Sequence, residues 1–192
     1  MRSQSQNKVD AGRCYAVAVV LMVAIAEARA QQQTPATATH RQIVVSIPDR
    51  KLALLEDGRA LKVYPVAVGA TGSPSPTGTF KVVNRISEPT YYHTGIVIPP
   101  GAENPLGSRW IGLDRKGYGI HGTNQPGTIG HAASHGCIRM ARTDLEELFK
   151  MVRVGDAVEI HGEHDEALNA IFSTDLVLTA QSNLQTGNGG QF

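Results

Sequence analysis

The sequence predicts a mainly β domain, and three observations support this prediction. Between residues 42 and 160 the chain has many short runs of apolar or β-favouring residues at close spacing. Turn signals rich in glycine, proline and aspartate separate these runs. One segment alone has a convincing helical pattern, and no repeat of roughly 20–50 residues is present. The length of 192 residues suits a single domain of this class.

The first strand candidates are joined by tight turns. Gln42–Ile47 and Lys51–Glu56 lie on either side of the turn signal Pro48-Asp49-Arg50, which predicts a hairpin. Asp57-Gly58 is a second turn signal and leads into Arg59–Val68. Residues 69–78 have the composition of a loop. The later strand candidates are Thr79–Asn84, Tyr91–Ile98, Trp110–Leu113, Tyr118–His121 and Ala157–Ile160.

The one helical segment follows residue 142. Thr143 precedes Glu146 by three residues, the spacing of a capping box. Apolar residues then recur at helical spacing, namely Leu145, Leu148, Phe149 and Val152. The pattern predicts one main α-helix, ended by Gly155-Asp156. Residues 163–192 lose this periodicity and are interpreted as a C-terminal tail with a short helix near residues 166–172.

The N-terminus has the pattern of a secretory signal peptide. Basic residues precede an apolar run, Tyr15 to Ala26, and Ala28-Arg29-Ala30 forms an A-x-A site. The run is shorter than the roughly 17–25 residues of a membrane-spanning helix, which disfavours an uncleaved anchor. We therefore expect a signal peptide over 1–30, a linker over 31–41 and a folded domain over 42–162. The expected location is the periplasm or cell envelope.

Charge and cysteine content exclude several classes. The chain carries 18 basic and 17 acidic residues, so it lacks the basic excess of a nucleic-acid-binding protein. Its two cysteines are too few for a disulfide-rich scaffold or a four-thiolate zinc site. Removal of residues 1–30 leaves Cys137 as a single exported thiol, with no internal disulfide partner. A lone thiol in an oxidising compartment suggests a chemical use.

The residues with the most chemical potential lie between Tyr118 and Arg139. This segment holds three histidines, Cys137 and five glycines, and little that would fill a core. A thiol attacks as a thiolate, so Cys137 needs a base. His121, at the end of a predicted strand, is favoured over His135 as that base, and His135 is expected to shape the site.

Neighbouring groups fit a nucleophilic role for the cysteine. The backbone N–H groups of Gly136 and Cys137 are candidates for an oxyanion hole. Arg139 could bind a carboxylate of the substrate or lower the pKa of the Cys137 thiol. The alternative is that it forms a structural ion pair. His121, His135 and Cys137 are also zinc-competent, but their spacing matches no common zinc pattern. We expect neither a metal nor a cofactor.

These residues resemble a known family. His121-Gly122-Thr123-Asn124 followed by Ser134-His135-Gly136-Cys137-Ile138-Arg139-Met140 is similar to the signature of the L,D-transpeptidase catalytic domain, the YkuD-like domain. Residues 76–80 and 104–107, and the helix after Arg142, also match family segments. The resemblance covers residues 42–162. It implies a β-sandwich-like domain with a mixed sheet and bacterial cell-wall chemistry.

The resemblance also implies roles for individual residues. Cys137 would attack a peptidoglycan stem peptide, release the terminal D-alanine and form a thioester, with His121 as general base and acid. His135 and Gly136 would assist at the oxyanion. The expected substrate-binding residues are Ser134, Arg139, Thr123, Asn124, Tyr92 and Trp110. Some relatives have a catalytic serine where this chain has Gly122, so a backbone carbonyl, Asn124 or Ser134 must orient His121.

The acceptor of the acyl group stays open at this point. An amine from another stem or from an outer-membrane protein would give a transpeptidase, whereas water would give an L,D-carboxypeptidase. A third hypothesis, in which the protein is not an enzyme, is a catalytically inactive module that binds the cell wall. Carbapenem-type β-lactams are expected as covalent inhibitors if Cys137 is reactive.

Overall fold

The computed structural model describes residues 40–173. The predicted signal peptide, all but the end of the predicted linker, and residues 174–192 of the tail lie outside the described residues. Eleven strands are present in this part of the chain: β1 Arg41–Ser46, β2 Lys51–Glu56, β3 Arg59–Gly69, β4 Gly78–Ser87, β5 Tyr91–His93, β6 Ile96–Ile98, β7 Arg109–Leu113, β8 Gly119–His121, β9 Ala132–Ser134, β10 Ile138–Met140 and β11 Ala157–His161.

Nine of the strands form one sheet that closes on itself. The order is β10-β8-β7-β4-β11-β1-β2-β3, and β3 pairs again with β10, while β9 adds to β3. The pairs β1–β11, β8–β10 and β3–β9 are parallel and the other pairs of this sheet are antiparallel. The predicted mainly β fold with a mixed sheet is therefore confirmed. Closure leaves no free edge along most of the sheet.

The first two predicted turns are present. β1 and β2 pair antiparallel from Arg41 opposite Glu56 to Ser46 opposite Lys51. Between β2 and β3, Asp57 has φ 50° and Gly58 has φ 79°. Positive φ at both central residues is the geometry of the type I′ turn that suits the twist of a hairpin. The Asp-Gly pair thus sets the register of two strands.

The main helix, α1, spans Arg142–Met151 and packs Leu145 and Leu148 into the core. Its N-cap is Ala141, with no side-chain capping bond, so the predicted capping box of Thr143 and Glu146 is wrong. Glu146 instead accepts a hydrogen bond from Ser108 at 2.8 Å and pairs with Arg142. The helix ends at Met151, before the predicted stop at Gly155.

A second helix, α2, begins at residue 166 and continues to the last described residue, 173. Asp165 caps it by accepting a hydrogen bond from Leu168 N at 2.7 Å. Leu168 and Phe172 are buried in a small apolar cluster with the β1–β2 residues Val44, Ala53 and Leu55. The folded region therefore extends beyond residue 162.

Residues 91–98 form a separate two-stranded hairpin, β5–β6, rather than the single predicted strand. Gly95, with φ 75°, makes its turn. In the described range 40–173, no helix is both long and apolar enough to cross a membrane.

Candidate active site

A cleft of about 450 Å³ opens between two walls. We call the β7, β8 and β10 side the strand wall, and the side made by residues 89–93 and 105–106 the hairpin wall. The residues that line the cleft are Ile86, Pro89, Thr90, Tyr91, Tyr92, His93, Pro105, Leu106, Trp110, Gly117, His121, His135, Cys137 and Arg139.

The strand wall is organised in cross-strand rows. Trp110 of β7 pairs with His121 of β8, which pairs with Arg139 of β10. Ile86 of β4 continues this row on the other side of Trp110. Directly paired residues share a face of a sheet, so these four side chains point into the same cleft. Cys137 precedes Arg139 by two residues and shares its face.

His121 is buried, with 5% of its surface exposed. Its Nδ1 lies 2.7 Å from the carbonyl oxygen of Gly122. A carbonyl oxygen only accepts, so Nδ1 carries the proton and Nε2 is the basic atom. Burial lowers the pKa of His121 to about 4, with a further lowering from the Arg139 charge, so the ring is neutral at pH 7. Of the three orienting groups left open by the sequence, the backbone carbonyl occupies the position.

The loop before β10 presents Cys137. Ser134 Oγ donates to the Cys137 carbonyl at 2.5 Å and accepts from Gly136 N at 3.0 Å, which closes a tight turn. Gly136 has φ 109°, and a Cβ there would lie 2.8 Å from the Tyr118 ring, so the turn requires glycine. The Cys137 side chain is partly exposed, and its thiol forms no disulfide among the described residues. Burial raises the pKa of Cys137, against the opposing influence of the Gly119 backbone and the Arg139 charge.

Arg139 is the one lining residue with a permanent charge. No described acidic side chain forms an ion pair with it, and its buried Nε has no hydrogen-bond partner in the described part of the chain. The alternative of a structural ion pair therefore finds no support among residues 40–173. A guanidinium with unused donors at a cleft is suited to a carboxylate.

The predicted site residues separate into two groups. Cys137, His121, His135, Arg139, Tyr92 and Trp110 line the cleft, whereas Gly136, Ser134, Thr123 and Asn124 do not. Ser134 is buried in the turn described above. Thr123 Oγ1 accepts from Gln125 N, and Asn124 donates to the Glu103 carbonyl. These three side chains therefore make loop hydrogen bonds in this structure, and their contact with substrate stays a prediction.

Sequence reasoning missed two asparagines that support the cleft. Asn104 is fully buried; its Nδ2 donates to the carbonyls of Pro89, Ile98 and Pro99, and its Oδ1 accepts from Leu106 N. Asn84 accepts a hydrogen bond from Trp110 Nε1 at 3.0 Å. For Asn84 a signal was available, because alternate residues of a strand share a face. Four segments have a polar or aromatic residue or a glycine at alternate positions: Asn-x-Ile, Trp-x-Gly, Gly-x-His and Cys-x-Arg.

Among residues 40–173, no group of three or more histidine, cysteine, aspartate and glutamate side chains is arranged to hold a metal ion.

Comparisons with known proteins find matches in the family that the sequence resembles. A family model described as the YkuD L,D-transpeptidase catalytic domain matches residues 40–160. The putative L,D-transpeptidase YkuD of Bacillus licheniformis is 41% identical over 128 residues, which cover 67% of this chain and 69% of that protein.

Solved structures share the fold. An L,D-transpeptidase from Mycobacterium smegmatis superposes with a TM-score of 0.55 at 22% identity, covering 65% of this chain and 59% of that one. A structure described as the Ldtfm-avibactam carbamoyl enzyme has a TM-score of 0.55 at 26% identity, covering 65% of this chain and 49% of the other. The matched region thus spans less than two thirds of these solved chains.

Proposed function

Because this chain belongs to the family of L,D-transpeptidase catalytic domains, we propose that it transfers peptidoglycan stem peptides through Cys137. The thiol attacks the carbonyl before the terminal D-alanine, D-alanine leaves, and a thioester forms. An amine then attacks the thioester and regenerates the thiol. The observation that carries this proposal is one cleft that holds a free cysteine, a histidine whose Nδ1 is fixed, and an unpaired arginine.

His121 serves as base and then as acid. Its Nε2 takes the proton of the Cys137 thiol as the sulfur electron pair attacks the carbonyl carbon. The same proton passes to the leaving nitrogen of D-alanine when the C–N bond breaks. The lowered pKa of His121 and the raised pKa of Cys137 mean that the resting pair is neutral. Proton transfer therefore accompanies attack rather than preceding it.

The oxyanion needs donors that are not already engaged. Gly136 N–H already donates to Ser134 Oγ at 3.0 Å. We assign the principal contact to the Cys137 N–H, with Gly136 fixing the direction of that amide and His135 at the cleft edge nearby. Removal of one oxyanion donor costs about 3–4 kcal/mol in favourable cases, so this local geometry matters for rate.

Arg139 recognises a carboxylate of the stem. It stands in register with His121 and two residues from Cys137, so a carboxylate on its guanidinium would lie beside the reacting carbonyl. Tyr92 and Trp110 supply apolar surface on the two sides of the cleft. No acidic side chain lines the cleft to oppose this binding.

Incubation with a disaccharide-tetrapeptide, with products read by mass spectrometry, tests the proposal. We expect a thioester adduct on Cys137 and free D-alanine, and the Cys137→Ala variant should form neither. An adduct that persists in Cys137→Ala would refute the role of Cys137. A wild-type Cys137 that is untouched by both the tetrapeptide and a carbapenem would indicate an inactive wall-binding module.

The group that accepts the acyl chain is identified by repeating the incubation with and without an amine. Cross-linked product in the presence of an amine acceptor supports transpeptidation, and tripeptide alone indicates an L,D-carboxypeptidase. A stem amine and an outer-membrane protein amine are distinguished by supplying each in turn. Export to the periplasm or cell envelope is part of this proposal, since the substrate lies there; N-terminal sequencing of exported protein should begin after Ala30. Carbapenem-type β-lactams should acylate Cys137; avibactam, a covalent inhibitor without a β-lactam ring, forms a carbamoyl enzyme with a solved relative.

A further inference from the structure

His121 is fixed on its ring face as well as on its edge. The Gly122 carbonyl holds the edge, and the Trp110 indole covers one face. The two ring centroids lie 5.6 Å apart, with an angle of 21° between the planes. Such a stacked geometry restricts rotation of the imidazole about its side-chain bonds.

Trp110 is itself fixed by two features of neighbouring strands. Its Nε1 donates to Asn84 Oδ1 at 3.0 Å. The indole also lies across Gly112 and Gly119: a Cβ on Gly112 would approach Trp110 Nε1 to 2.8 Å, and one on Gly119 would approach the six-membered ring to 2.7 Å. The two glycines thus form a slot that holds the indole, and a side chain at either position would collide with the ring. Asn84 is exposed at the outer end of this slot.

We propose that Asn84 and Trp110 are positioning residues that hold the face of His121 and stabilise its protonated form during Cys137 attack. This inference rests on the proposed function of His121 as the base. The sequence predicts Trp110 as a substrate contact, whereas the stacking on His121 favours an effect that passes through the imidazole. Asn84 has no contact with the cleft lining other than Trp110 among the hydrogen bonds of the described residues.

The physical reason is the charge that His121 gains during the reaction. Burial and the nearby Arg139 both disfavour an imidazolium. An indole face within about 6 Å of a cation attracts it through the negative charge density of the ring face. That stabilisation is absent while the ring is neutral, so it lowers the barrier rather than the resting energy.

The chain offers an internal probe, because Trp110 is its single tryptophan. Fluorescence of the full chain, titrated with acid, should report protonation of His121 with a midpoint near pH 4. His121→Gln should abolish this transition. The rate at which a small alkylating agent modifies Cys137, located by peptide mass spectrometry, gives a second readout that needs no peptidoglycan substrate.

Three substitutions on β4 test the role of Asn84. Asn84→Leu removes the acceptor; we expect a lower fluorescence midpoint, a more mobile indole by anisotropy, and acylation about 5–10-fold slower with KM unchanged. Asn84→Asp keeps an acceptor and adds negative charge at the indole N–H; we expect a higher midpoint and acylation faster than in wild type. Ser87→Leu, an exposed residue of the same strand, is the matched control and should behave as wild type.

The same measurements contain the outcomes that would overturn the proposal. Unchanged rate and midpoint in Asn84→Leu would do so, as would a change confined to KM, which would return Trp110 to substrate contact. Slower alkylation of Cys137 caused by Asn84→Leu that persists in a Trp110→Leu background would show that Asn84 does not act through the indole. Failure of wild type to react with a tetrapeptide would count against the proposed function alone, because the fluorescence and alkylation readouts would remain.

Discussion

The two walls of the cleft are built in different ways. The strand wall places Trp110, His121 and Arg139 in one row of paired strands, where each backbone is held on both sides. The hairpin wall comes from β5–β6, which pairs only with itself, and its Tyr92 and Val97 are 74% and 64% exposed. Under the proposed function, the base and the carboxylate-binding arginine lie where paired strands fix the geometry, whereas the apolar substrate contact of Tyr92 lies where the surface can adjust.

One buried side chain connects the walls. Asn104 bonds carbonyls at both ends of the hairpin and also Leu106 N. The Leu106 carbonyl accepts from Gly122 N at 2.8 Å, and the Gly122 carbonyl holds His121. A continuous hydrogen-bonded path therefore runs from the hairpin to His121, the proposed base. The walls differ in rigidity but share this anchor.

The largest effect should follow from removing His121, the proposed catalytic base on the strand wall. We expect His121→Gln to slow acylation of Cys137 by roughly 10²–10⁴-fold, because general base catalysis is lost. Stopped-flow acylation by a carbapenem would measure this. His93→Gln, on the hairpin wall, is the control. Equal losses in the two variants would contradict the assignment of chemistry to the strand wall.

Removing the anchor should damage both walls. Asn104→Ala leaves several buried carbonyls and the Leu106 N–H without partners, which should lower the free energy of unfolding by about 2–4 kcal/mol. Acylation should also slow, because the Gly122 backbone loses support. Denaturant unfolding and acylation kinetics test this, with Asn124→Ala as the control, since Asn124 makes one exposed bond. Similar stability of the two variants would argue against the anchoring role.

Acid should weaken the strand wall through His121. Its pKa is about 4 in the folded chain and about 6.5 when unfolded, so between those values only the unfolded state gains the proton. This contribution is fully present above pH 6.5 and is lost as pH falls toward 4, on the order of 3 kcal/mol. The difference in unfolding free energy between wild type and His121→Gln should shrink accordingly over that range. A difference independent of pH would show that the imidazole is not buried neutral.

The smallest effect is expected on the hairpin wall. Tyr92→Ala removes an exposed ring from the cleft, so KM for a muropeptide should rise about 3–10-fold while kcat stays near wild type. Val154→Ala, exposed but outside the cleft, is the matched control. A large fall in kcat in Tyr92→Ala would mean that the hairpin also orders the reacting groups.

The sequence predicted what depends on local pattern and on family signature. The β1–β2 hairpin, the Asp57-Gly58 turn and family membership follow from residues close together in the chain. The split of residues 91–98 into a hairpin was missed because Gly95 lies inside a run whose other residues include many that favour a strand. Asn84 was missed because its partner Trp110 is 26 residues away in the chain. Asn104 was missed because an asparagine that precedes a proline is typical of a turn, and its pattern does not show that the side chain is buried.

Helix α2 has a practical consequence for anyone who works with a shortened chain. The family match ends at residue 160, and a domain cut there would lack the two apolar side chains, Leu168 and Phe172, that cover Val44, Ala53 and Leu55. The uncovered sheet face would then be an apolar patch exposed to solvent. Aggregation of such a fragment would then reflect the site of the cut rather than any weakness of the barrel-like sheet.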